Sequence, residues 1–193
     1  MKKLALLLIP IMITSCAVKK EKKPSYKSCD EYFAQILQKQ KTKKAFKVYS
    51  YVYIDGKHLL MKGDFNEYGG GTMKFYLPIG KKVATVEKNG EEFCIKEDKN
   101  CKKVSNPFRK LGISVEKILT QNFMISKNDS YRCNSEDSLI IEKPGFSLIY
   151  KDGKLKNVLL KNLLIRYDGN NIYIYDMGEL VAQFKIEKII YER

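Results

Sequence analysis

Few residues of this chain offer chemistry beyond packing: one histidine, five cysteines, and lysines that follow serine or glycine at suggestive spacings. His58 lies on the more polar side of an alternating stretch, beside Leu60 and Lys62, with no nucleophile nearby to activate. Ser114 and Lys117 have the S-x-x-K spacing of an acyl-transfer site, but the S-D-N and K-T-G companions of such a site are absent. A helix cap explains Ser114 better. The pairs Gly56-Lys57, Gly80-Lys81 and Gly153-Lys154 fall at turns without phosphate-loop spacing, and Gly69-Gly70-Gly71 has no helix to open. Metal-ligand spacing is missing too. The expectation is a protein that is not an enzyme and holds no metal or cofactor.

The cysteines divide by position. Cys16 ends a segment that starts with Met1-Lys2-Lys3, runs through apolar residues 4 to 13, and closes with Thr14-Ser15-Cys16. That apolar run is too short for the ~20 residues of a membrane-spanning helix. Charged start, short apolar core and two small residues before a cysteine are similar to the lipobox of bacterial lipoproteins, whose cysteine is lipidated and becomes the first residue after cleavage. The expected organisation is therefore a signal peptide over 1–15, a lipidated Cys16 with a flexible tether over 16–27, and one domain over 28–193. Cys29, Cys94, Cys101 and Cys133 remain, an even number that suggests two disulfides in an exported chain. Cys94 and Cys101 fall in one hairpin and can face each other across it, which leaves Cys29 for Cys133. Free structural thiols are the alternative.

The formal net charge is +14, and removing Lys2 and Lys3 with the signal lowers it by two. An exported chain meets little nucleic acid, so anionic head groups or an acidic protein fit this charge better as partners. A solvated lysine surface is the competing explanation.

The elements follow from periodicity. Residues 17–27 are charged and have almost nothing to bury, so they read as a tether, at most about 36 Å long when extended. Ser28 with Glu31 three residues on has the capping-box pattern, and Tyr32, Phe33, Ile36 and Leu37 make one apolar stripe. From Ala45 the period becomes two: Phe46, Val48, Val52 and Ile54 share one face, and Lys47, Tyr49, Tyr51 and Tyr53 the other. Turn signals at Asp55-Gly56, the three glycines, Pro78-Ile79-Gly80, Asn89-Gly90, Asp152-Gly153, Asp168-Gly169 and Gly178 space the strands. A second helix with Val115, Ile118 and Leu119 on one face interrupts them. The fold class is mainly β (α+β): a curled antiparallel sheet of about eleven strands forming an unclosed half-barrel, with helices covering its hollow.

Leu77-Pro78-Ile79-Gly80 sharpens this. Together with the lipobox, the charged tether, the long meander, the stretch NPFRKLGISVEKIL and the late unit LLIRYDGNNIYIYDM, it resembles the LolB-like outer-membrane lipoprotein receptors, whose half-barrel carries N-P-L-G at the end of the corresponding strand. The resemblance implies that Ile79 takes the place of that family's projecting leucine, held outward by Pro78 and Gly80 to enter a membrane.

It further implies an apolar cavity for lipoprotein acyl chains, expected to draw on Phe46, Val48, Met61, Phe65, Met73, Phe75, Phe146 and Leu148. The implied partners are an acidic periplasmic LolA-like carrier and the membrane that holds the lipid anchor, with the protein working as a monomer. Ala17 after Cys16, in place of the aspartate that marks inner-membrane retention, implies the outer membrane. The alternative is an envelope interaction lipoprotein, or a general lipid binder, of the same fold.

Overall fold

The period-2 alternation becomes a single antiparallel sheet. The structure, a computed structural model, describes residues 28–40, 44–54, 56–89, 92–97, 100–104, 113–134 and 138–192. Cys16, the signal and tether segments, and residues 106–112 lie outside the described residues.

The first run of strands is β1 (Phe46–Ile54), β2 (Lys57–Phe65), β3 (Gly71–Tyr76), β4 (Lys82–Asn89), β5 (Glu92–Glu97) and β6 (Asn100–Val104). The second is β7 (Ser130–Cys133), β8 (Ser138–Lys143), β9 (Phe146–Lys151), β10 (Lys154–Leu160), β11 (Leu163–Asp168), β12 (Asn171–Asp176) and β13 (Glu179–Tyr191). The order across the sheet is β6-β5-β4-β3-β2-β1-β13-β12-β11-β10-β9-β8-β7, so the first and last strands pair at its middle and the edges do not meet. The sheet has thirteen strands rather than about eleven. Ser130–Cys133 shows why a count from sequence falls short: of its residues only Tyr131 is even partly buried, and four residues carry no alternation to read.

The inner face is the apolar one. Val48, Phe65, Leu139, Ile141, Leu148, Val158 and Ile165 are fully buried there, each such side chain stabilising the fold by about 1.5–3 kcal/mol. Gly71 sits where a side chain has no room, because a Cβ would stand 2.5 Å from the Asp64 carbonyl oxygen and 2.7 Å from the Phe65 ring.

Among the described residues, two helices join the sheet. α1 (Cys29–Gln38) starts as its sequence suggests, with the Ser28 hydroxyl accepting from the Glu31 amide at 3.1 Å. It is fastened at the β7 edge three ways: the Cys29–Cys133 disulfide, the Phe33 ring stacked on Tyr131 at 3.9 Å, and the Tyr131 hydroxyl donating to Asp30 at 2.8 Å. That hydrogen bond to Asp30 raises the Tyr131 phenol above its ordinary value. α2 (Val115–Thr120) has Ser114 at its N-cap position, but the serine side chain makes no capping hydrogen bond. Its first turn is held instead by side chains from the sheet. Cys94 and Cys101 are also bonded, as a diagonal pair on the outer face of β5 and β6, where Cys94 lies opposite Lys103 and Cys101 opposite Lys96.

Candidate functional site

The turn between β3 and β4 has a tight hydrogen-bonded frame. The Leu77 amide donates to the Lys81 carbonyl and the Gly80 amide to the Leu77 carbonyl, both at 2.8 Å. Pro78 fixes its own φ at the second turn position, and Gly80 takes φ 87°, a left-handed value that a side chain would strain. Between them Ile79 stands 84% exposed. The next residues, Lys81 and Lys82, are exposed as well. The turn thus presents an apolar tip on a closed backbone frame, followed by two exposed cations.

An apolar cavity of about 600 Å³ lies between α2 and the strands β1 and β10 to β13. Its walls include Val115, Ile118, Leu119, Leu160, Leu163 and Phe184. The volume falls in the range of roughly 300–1,000 Å³ typical of small-ligand pockets. α2 lines one side of it and is tied to the sheet there, since the buried Tyr167 hydroxyl on β11 donates to the Ile118 carbonyl at 3.2 Å. Burial pushes that phenol up, keeping it a proton donor.

A second cavity, of about 510 Å³, lies on the opposite side of α2 and is more polar, with Asn66, Glu67, Lys117, Asn122 and Tyr191 among its walls. Of the eight residues expected to line an acyl cavity, Phe46 borders this one. Val48, Met61, Phe65, Met73 and Leu148 are buried in the packed interior, and Phe75 and Phe146 are half-buried against it. None of those seven borders either cavity. The apolar cavity is instead walled by residues such as Leu163, Ala182 and Phe184, which alternation places on the inner face without marking them as bordering a void.

A buried ion pair borders the more polar cavity. Lys88, on the inner face of β4, meets Glu116 of α2 at 2.7 Å and also donates to the Gly69 carbonyl. The side chains are 4% and 12% exposed, and Glu116 Oε2 is buried with no hydrogen-bond partner. A buried pair with an unsatisfied oxygen gains little over an apolar pair, yet losing one partner leaves a bare charge inside. Lys88→Met should therefore destabilise the fold by about 3–5 kcal/mol, whereas Lys88→Met with Glu116→Leu should recover most of that loss. Urea unfolding of the two variants checks it; equal losses would show that the pair is not what fastens α2.

The described residues thus define a mainly β protein built on one large unclosed antiparallel sheet with few helices. No family model matches the chain, and no curated protein matches it. Among solved structures, MucB aligns at TM-score 0.35 and 7% identity, over 86% of this chain and 59% of that one. MucB in complex with MucA(peri) aligns at TM-score 0.27 and 7% identity, over 86% and 56%. The AfRom2 CNH domain aligns at TM-score 0.21 and 13% identity, over 75% and 54%. The chain spans less than two thirds of each, and likenesses this low carry no argument about function.

Proposed function

We propose that this chain is an outer-membrane lipoprotein, anchored through Cys16, that accepts the acyl chains of other lipoproteins from an acidic carrier and releases them into the membrane without covalent chemistry. The observation that carries the reading is Ile79, exposed on a closed turn and followed by Lys81 and Lys82. In this reading the cavity beside α2 is the receiving hollow, with α2 along one side of it. Each CH₂ buried there stabilises a bound chain by about 0.8 kcal/mol, so transfer proceeds when this hollow buries more of the chain than the carrier does.

A specific observation favours a second reading, an envelope interaction lipoprotein with a solid interior. Val48, Met61, Phe65 and Leu148 are fully packed, so the interior has no room for a ligand where these residues lie.

Ala182, a wall of the apolar cavity, separates the two readings. Ala182→Phe should fill the cavity and weaken binding of a fluorescent fatty acid about tenfold, at a cost of roughly 1–3 kcal/mol in stability. A parent chain that does not bind the probe would leave the interaction reading. In cells, depletion should leave other lipoproteins accumulating away from the outer membrane; unchanged localisation rules the receptor role out.

A further inference from the structure

The outer face of the central strands carries a pattern that sheet stability does not explain. Register places Arg166, Tyr173, Gln183, Tyr53 and His58 in one row across β11, β12, β13, β1 and β2. The next row holds Asn171, Lys185, Tyr51, Leu60 and Tyr76. The third holds Lys188, Tyr49, Lys62, Lys74 and Thr85. No carboxylate occupies these positions; Asp168 stands at one end opposite Asn171, and Glu187, at the bulge of β13, pairs with Lys185 at 3.4 Å. The patch spans about 29 Å across the strands.

Its cations lie over its rings. Arg166 stands 5.0 Å from the centre of the Tyr173 ring and 5.7 Å from that of Tyr175, Lys62 stands 5.5 Å from Tyr76, and Lys185 5.9 Å from Tyr51. Such contacts set a cation beside each ring and leave Tyr51 half exposed. Cross-strand aromatic and cation pairs do stabilise sheets, but like charges directly opposite each other do the reverse. Lys62 lies directly opposite Lys74, and the same row continues through Tyr49 to Lys188. Packing selects against that arrangement, whereas an anionic partner would relieve it.

We propose that this face binds an acidic polysaccharide, with sugar rings stacking on the tyrosines and carboxylates or phosphates of the glycan pairing with the lysines and Arg166. A membrane fits less well, because the patch has no aliphatic side chain as exposed as Ile79. Nucleic acid would find the same charges and rings, but an exported chain has little access to it. The face is opposite the one that borders the apolar cavity, so the proposal stands apart from the lipid reading.

The test uses the full-length chain in a non-ionic detergent, with polygalacturonate as the acidic glycan. Neutral dextran, single-stranded DNA and phosphatidylglycerol vesicles serve as comparators. Polygalacturonate should bind and dextran should not. The triple variant Tyr51→Ser, Tyr173→Ser, Tyr175→Ser keeps every charge and should bind about tenfold more weakly, while the matching phenylalanine triple should keep the parent affinity. If the serine triple does not fold, Tyr51→Ser alone carries the test, because Tyr51 is the most exposed of these rings, and its expected loss is about threefold. Failure of polygalacturonate to bind, a serine variant that binds like the parent, or tighter binding to DNA or vesicles would each overturn the proposal.

Discussion

Ile79→Glu should leave unfolding within about 0.5 kcal/mol of the parent chain and slow lipid release into anionic vesicles by about tenfold or more. The fold is indifferent because the Ile79 side chain touches almost nothing: it is 84% exposed, and the turn is held by backbone hydrogen bonds and by Pro78 and Gly80. The membrane step is sensitive because burying an isoleucine in the acyl boundary is worth about 2 kcal/mol. A carboxylate beside anionic head groups also offsets about 1 kcal/mol, the attraction that one of the two lysines, Lys81 or Lys82, supplies. Ile79→Leu should release lipid normally. A glutamate variant that unfolds, or that transfers lipid at the parent rate, would make Ile79 a bystander.

Breaking the Cys29–Cys133 bridge should cost far more stability than breaking Cys94–Cys101. The first links residues 104 apart in sequence and the second residues 7 apart. If the bridges act through the entropy of the unfolded chain, the long one contributes about 5 kcal/mol and the short one about 2.5 kcal/mol. The long bridge also pins the first residue of α1 to the edge strand, so Tyr32, Phe33 and Ile36 depend on it for their burial. Cys29→Ser and Cys94→Ser, compared by thermal unfolding under oxidising conditions, give the two values. Equal shifts would mean that α1 is held by its packing alone.

Much of the fold was legible because a strand with one buried face writes its orientation into alternate residues. Phe46, Val48 and Val52 mark the inner face of β1 as clearly in sequence as in space. What alternation cannot give is depth along that face. Phe65 and Phe75 both point inward, yet one is sealed in the core and the other half-buried against it. The apolar cavity depends on where α2 lies over β10 to β13, and that placement rests on contacts between residues far apart in sequence, such as Tyr167 with Ile118. Lys88 was illegible for the same reason. A lysine in an alternating strand reads as an outward residue until Glu116, from another element, is known to meet it inside.

The pairing of β1 with β13 at the centre of the sheet also sets when the protein can exist. The hairpins on either side draw on neighbours in the chain and can form as they emerge, but the ladder from Phe46–Tyr191 to Ile54–Ala182 joins residues more than a hundred positions apart. A chain that stops before Glu179 is two separate meanders, each with a raw inner edge able to pair with another molecule. The last strand to be made is thus the one that turns two aggregation-prone ribbons into a single sheet.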